Sequence, residues 1–205
     1  SNYFGYNTAL VVQNIGSSSA AVTVTYTNGH SDNYTVAPGA AESIYTPNVS
    51  GVPSGNTLYG ATVTSDQDVV VLVNESTPST NRAASYSGFS GGGSEVRAPI
   101  VMKRYYGYNS SVTCQNIGTA STDLTVAYAG VSGTSSYPGV AAGATQLIYQ
   151  PSDPALASVP PNWISSATIT SGGEPIVCVV NQDMNEPPQS TQVMDQLFSY
   201  NGIEP

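Results

Sequence analysis

Apolar residues in this chain recur at every second position in short runs. In ALVVQN, Leu10 and Val12 fall on one side of an extended segment, and in SVTCQN so do Val112 and Cys114. AVTVTYT sets Val22 and Val24 against Thr23 and Thr25, the alternation of a strand with one buried face. DVVVLVNE and PIVCVVNQ are nearly continuous apolar runs, which predicts strands in the middle of their sheets. Turn residues separate the runs: NIGSSS, TNGH, VAPGA and SDQD, then NIGTAS, SYPG and SGGE. No window sustains a 3.6-residue period. The pattern predicts an all-β chain with about seven short strands in each half, spaced as stacked sheets require.

The two halves are one motif written twice. YFGYNTALVVQNIG (residues 3–16) answers YYGYNSSVTCQNIG (residues 105–118), and the matches continue in the same order. VTVTY pairs with LTVAY, IYTP with IYQP, ATVTS with ATITS, VNE with VNQ, and SYSGF with SYNGI. Collinear matches over whole units indicate tandem duplication, and a period near 100 residues is far longer than a solenoid repeat. We therefore expect two β-sandwich domains, residues 1–90 and 91–205. A Gly-rich linker and a leading strand, APIVMKR, are expected within residues 90–104. Copy one begins at SNYFGY without a matching leading segment, so its sandwich is expected to lack an edge strand.

Composition narrows the function. Charged residues make up 8% of the chain, and 4 Lys+Arg against 13 Asp+Glu leave a net charge of −9, which repels phosphate and excludes nucleic acid as an expected partner. No run approaches the roughly 18 apolar residues of a membrane span. The start at Ser1, without Met or a signal-peptide core, reads as a mature form whose targeting segment has been removed. The expected compartment is extracellular or the cell surface.

Few residues are equipped for catalysis. His30, in TNGHSD, is the only histidine and reads as an exposed turn residue, and no nucleophile elbow accompanies it. Asp66 with Asp68 and Asp183 with Glu186 read as solvated loop charges, though a loose Ca²⁺ site is conceivable there. We expect no enzyme activity, no catalytic residue, no metal and no cofactor.

Cys114 and Cys178 each stand where the other copy has a core valine, Val12 and Val71. Inward residues on central strands of opposite sheets come within disulfide reach, and a bridge closing 64 residues is worth roughly 4 kcal/mol by loop entropy. Two separate buried thiols are the alternative. A bridge implies an oxidising compartment.

The remaining candidates concern surfaces. Sequons at Asn33, Asn48, Asn74 and Asn109 are candidate glycosylation sites, though a chain so rich in Ser and Thr yields about as many by chance. Tyrosines recurring at matched positions read as structural. Trp163, on an expected loop, is a candidate ligand platform for sugar. All four cations, Arg82, Arg97, Lys103 and Arg104, lie within residues 82–104. Ser1, Asn2, Tyr3, Phe4, Arg97, Ile100, Met102, Lys103 and Arg104 are the candidate subunit contacts.

Asn14-Ile15-Gly16, Val22 to Tyr26 and Pro38-Gly39, with Asn116-Ile117-Gly118 and Leu124 to Tyr128 in copy two, resemble bacterial immunoglobulin-like surface domains of the CARDB and related types. Copy two departs from that pattern with Ala142-Gly143 in place of the Pro-Gly turn. The resemblance covers nearly the whole chain and implies two tandem immunoglobulin-like sandwiches in an extracellular adhesive, spacer or fibre-forming protein. The expected function is a filament subunit that self-associates into a polymer, head to tail, by strand complementation or β-edge pairing. The alternative is a monomeric adhesin or carbohydrate-binding module of a larger surface protein.

Overall fold

A computed structural model describes residues 5–52, 55, 57–77, 82–184 and 196–205. The chain divides into two compact units, Ser1–Gly88 and Phe89–Pro205. Both are built of antiparallel sheets; helical structure among the described residues is limited to three single 3-10 turns.

Unit 1 contains β1 (Asn7–Asn14), β2 (Ala20–Tyr26), β3 (Ser31–Val36), β4 (Ala41–Tyr45), β5 (Ala61–Ser65), β6 (Val69–Thr77) and β7 (Arg82–Ser87). Its sheets run in the orders β4-β1-β6-β7 and β3-β2-β5. Strand alternation places Leu10 and Val12 of the first sheet with Val22, Val24 and Tyr26 of the second in one shared core.

Unit 2 contains β8 (Glu95–Lys103), β9 (Tyr108–Asn116), β10 (Thr122–Tyr128), β11 (Thr134–Val140), β12 (Thr145–Tyr149), β13 (Trp163–Ser171), β14 (Ile176–Met184) and β15 (Leu197–Asn201). Its sheets are β12-β9-β14-β15 and β11-β10-β13-β8. Both sheets again feed one core, with Val112, Cys114, Ile148 and Val180 on one side and Val96, Leu124, Val126 and Ile169 on the other. β2 and β10 share the same alternating burial along all seven residues, so the repeat in sequence is a repeat in packing.

The recurrent Asn-Ile-Gly motif is structural in both copies. Asn14 is fully buried; its amide donates to Ser18 O at 2.7 Å and Val36 O at 2.9 Å, while its side-chain oxygen accepts from Gly16 N. Asn116 does the same with Ala120 O, Val140 O and Gly118 N. One side chain thus satisfies a strand end and a turn that would otherwise bury unpaired backbone groups.

Two expectations need correction. The cysteines are bridged, with a Cα–Cα distance of 4.0 Å, but β9 and β14 are neighbours in one sheet and Cys114 faces Cys178 directly in register. The bridge is cross-strand, not between sheets. The Gly-rich linker is anchored instead of free: Gly93 bridges Ile176, Ile176 N donates to Gly93 O at 2.8 Å, and a Cβ on Gly92 would lie 2.5 Å from Ile176 O. Glycine is required there by close backbone approach. The apolar run DVVVLVNE does form a central strand, yet Val70 and Leu72 of β6 point outward, 48% and 43% exposed.

Candidate functional site at an open sheet edge

The second sheet of unit 2 has a strand that its counterpart in unit 1 lacks among the described residues. β8 pairs antiparallel with β13, setting Val96 opposite Ile169, Arg97 opposite Thr168 and Ala98 opposite Ala167. The register slips where Pro99 and Ile100 face one residue of β13, a bulge that accommodates a proline with no N–H to donate. Gln182 and Tyr200, from the opposite sheet, satisfy the bulge: Gln182 Nε2 and the Tyr200 hydroxyl both donate to Ile100 O, and Ile100 N lies 3.2 Å from that hydroxyl. Beyond β15, the chain crosses over so that Arg97 and Ile203 exchange backbone hydrogen bonds of 2.7 and 2.9 Å, tying the two sheets together at this side.

In unit 1, β5 stands where β13 does, and among the described residues it ends its sheet. The side chains that β8 covers in unit 2 are correspondingly less buried in unit 1. Ala167, Ile169, Ile176 and Cys178 are buried, while their equivalents Ala61, Val63, Val69 and Val71 are only half-buried. Tyr86 holds the place of Tyr200, and Gly88 N donates to Val71 O at 2.8 Å as Gly202 N does to Cys178 O. Much of what receives β8 in unit 2 is therefore repeated in unit 1 beside an edge that is unpaired among the described residues, though Glu75 stands where Gln182 does and has no N–H to donate. An unpaired strand edge flanked by partly exposed valines is a template for another strand.

The predicted contact residues divide. Arg97, paired with Glu95 at 2.9 Å, and Ile100 are exposed on β8. Met102 is half-buried, its N–H donating to Ser110 Oγ. Lys103 is not a surface contact: it is buried, and its ammonium donates to Leu156 O at 2.5 Å and Val159 O at 2.8 Å. Leu156 closes the short 3-10 turn Pro154–Leu156 and Val159 follows it, so two carbonyls converge on the cation where that turn ends. Arg104 is exposed in a tight turn. Ser1, Asn2, Tyr3 and Phe4 lie outside the described residues.

Among the sequons, Asn33 and Asn48 are exposed and Asn74 is half-buried, its side chain accepting from Ser85 Oγ at 2.6 Å. Asn109 is withdrawn as a glycan site: it is 1% exposed and its side-chain oxygen accepts from Arg104 N at 2.8 Å. Trp163 opens strand β13 instead of sitting on a loop, and its ring packs edge-on against Tyr128 at 5.7 Å, over the core. His30 is half-buried, 3.1 Å from Asp32 Oδ2 and facing the Tyr26 ring. No group of three or more His, Cys, Asp or Glu could hold a metal among the described residues.

Two features escaped sequence reasoning. The first is a buried polar centre in unit 2, where Asp153 accepts from the hydroxyls of Tyr128 and Tyr137 at 2.8 Å each, from Ser135 Oγ, and from Ala155 N. Burial, then the Asp153 carboxylate, pushes both tyrosine hydroxyls well above their ordinary range. Its signal was the contrast of IYQPSD with IYTPNV, which puts Val49 where Asp153 stands. The second is the turn after β8. Arg104 at φ 52°, Tyr106 at φ 48° and Asn162 at φ 66° are all the non-glycine residues with positive φ among those described, and Asn162 Oδ1 accepts from Tyr106 N at 3.3 Å. Tyr106 is 73% exposed. Tyr106-Gly107 reads as a two-residue hairpin turn needing positive φ at both positions, so only its first residue is unexpected.

The chain matches no known family model and no curated protein sequence. No helix among the described residues is long and apolar enough to cross a membrane.

Proposed function

We propose that this chain is a structural extracellular protein, a subunit of a surface fibre whose neighbours join head to tail through β-strand edges. One observation carries the reading: unit 1 repeats much of the receiving side of unit 2, yet among the described residues β5 ends its sheet and Ala61, Val63, Val69 and Val71 are only half-covered. A lent strand supplies backbone hydrogen bonds and apolar cover together, and such heterologous contacts propagate when they do not close into a ring. A disulfide suits an oxidising compartment. Backbone edges need no reactive side chains, which agrees with a chain holding one His and 8% charged residues. The immunoglobulin-like, CARDB-type resemblance belongs to the same proposal, with glycans at Asn33 or Asn48 as additional cover for a surface poor in charge.

Negative-stain microscopy and light scattering on concentrated native material test this. Regular filaments, or a mass that climbs with concentration, are expected; a uniform monomer at every concentration overturns it. The second reading, a carbohydrate-binding or adhesin module, is favoured by one feature, the exposed Tyr106 beside Tyr105 on the strained turn. A saturable glycan lost on Tyr106→Ala is its expected signature.

A further inference from the structure

We infer that the turn after β8 binds one neutral hexopyranose ring of a glycan, stacked on the open face of Tyr106 beside the amide of Asn162. The site rests on the carbohydrate-binding reading, which it deepens by naming the residues and the sugar class, and it is independent of fibre assembly.

The backbone marks the place. Arg104, Tyr106 and Asn162, all the described non-glycine residues with positive φ, lie together in unit 2. Asparagine adopts that conformation more readily than most residues, whereas a bulky side chain there is strained. The first position of a two-residue hairpin turn favours Asn, Asp or Gly, and any of them would relieve the strain at Tyr106. The tyrosine ring is nevertheless held there, 73% exposed and outside the core cluster. Strain kept at an exposed side chain points to a use beyond the fold.

The surroundings fix the ring in advance. Tyr105 and Tyr108 exchange backbone hydrogen bonds of 2.9 Å, and Arg104 N donates to Asn109 Oδ1 at 2.8 Å, closing the turn. The Tyr105 ring stands edge-on to Tyr106 at 4.8 Å. From the other side, buried Lys103 ties the start of the turn to Leu156 O and Val159 O, and Asn162 Oδ1 accepts from Tyr106 N at 3.3 Å. The two segments are locked together, so little ordering is left to be done on binding.

The chemistry selects the occupant. A sugar ring has a face of C–H groups that packs on the electron-rich face of an aromatic ring, and rim hydroxyls that need polar partners. Asn162 and Tyr106 are both exposed, and among the described residues the Asn162 amide N–H groups and the Tyr106 hydroxyl bond to nothing. Of the three tyrosines at this turn only Tyr106 is exposed, a platform for one ring and far short of the roughly 1,000 Å² of a protein interface. A net charge of −9 repels acidic sugars and so favours neutral ones.

The probes are cellotetraose, maltotetraose, mannotetraose and galactotetraose, with sialyllactose as the acidic comparison, each titrated into the full chain. Trp163, which follows Asn162 and is the chain's one tryptophan, supplies the fluorescence readout. At least one neutral probe is expected to bind saturably, and more tightly than sialyllactose. Tyr106→Asn is expected to weaken that binding by roughly tenfold, the scale of one aromatic contact, with the thermal midpoint unchanged or higher. Tyr106→Phe keeps the stacking face and is expected to keep the binding. Saturable binding that survives Tyr106→Asn undiminished overturns the site and leaves the carbohydrate-binding reading standing. A blank result with all the neutral probes overturns the inference, and a blank glycan array as well removes the carbohydrate-binding reading with it. Tighter binding of sialyllactose overturns the sugar class assigned here. A lowered midpoint in Tyr106→Asn makes the ring a prop of the turn and overturns its assignment as a platform.

Discussion

Tyr26 and Tyr128 occupy the same place on matching strands, but their hydroxyls meet different surroundings. Tyr128 donates to Asp153 at 2.8 Å, whereas Tyr26, with Val49 at the position of Asp153, buries its hydroxyl without a partner among the described residues. Removing a hydroxyl bonded to a charge costs about 1.5–3 kcal/mol, and removing an unsatisfied one costs nothing. Tyr128→Phe is therefore expected to lower unfolding free energy by about 2 kcal/mol, while Tyr26→Phe leaves it unchanged or raises it by up to about 1 kcal/mol. Urea titration of the two variants measures both. The same tyrosines set the alkaline limit. Burial, with Tyr34 and Asp32 adding to it, pushes the Tyr26 hydroxyl up to about 12, and Tyr128 and Tyr137 are raised too. An unfolded tyrosine releases its proton near pH 10, so above that the unfolded chain holds fewer protons than the folded one. Stability is then full below about pH 10 and falls as pH rises through the folded values, by about 1.4 kcal/mol per unit for each such tyrosine. Urea midpoints measured from pH 8 upward, alongside tyrosinate absorbance, are expected to hold steady and then drop past about pH 10.

At the scale of elements, the alternation of Val22 with Thr23 and Val24 with Thr25 was sufficient to place β2, because a strand with one buried face leaves a period of two. The leading strand β8 was legible for a related reason: APIVMKR is an apolar segment between a Gly-rich stretch and YYGY, and such a segment must be buried somewhere. Which strands become neighbours was not legible. Cys114 and Cys178 were rightly paired, but periodicity carries no information on partner choice, and two central inward positions fit either one sheet or two. The linker misled for a different reason, since glycine permits both freedom and close approach, and Gly92 is there for the second. The cross-strand position also makes the bridge testable. Val12 faces Val71 in β1 and β6 as Cys114 faces Cys178 in β9 and β14, so the fold already packs a valine pair at this site. The double variant C114V/C178V is expected to fold, with unit 2 less stable by about 2–4 kcal/mol from the lost loop constraint. Denaturation of oxidised parent and variant side by side gives the difference.

For the whole molecule, a net charge of −9 opposes the close approach of copies, whatever the strand edge favours. Screening shortens that repulsion from about 10 Å at 0.1 M salt to about 3 Å at 1 M. The concentration at which assemblies appear is accordingly expected to fall as salt is added, and to fall again as pH moves from neutrality toward the pI of about 4.1. Light scattering across a salt series checks this; a threshold that rises with salt would mean that attraction between charges, and not strand pairing, holds copies together. The candidate site was visible in outline from the repeat, because β8 has no match among the described strands of unit 1. Its chemistry was not, since the half-covered state of Val63 and Val71 exists only once two sheets are stacked.

The alignment of Val12 and Val71 with the bridged pair has one more use. Evolution has stapled one copy and left the other unstapled at the same coordinates of the fold, so the blueprint for a second bolt is already drawn. Converting both valines to cysteine is expected to close spontaneously under air and to lift the thermal midpoint of unit 1, read by calorimetry with and without reductant.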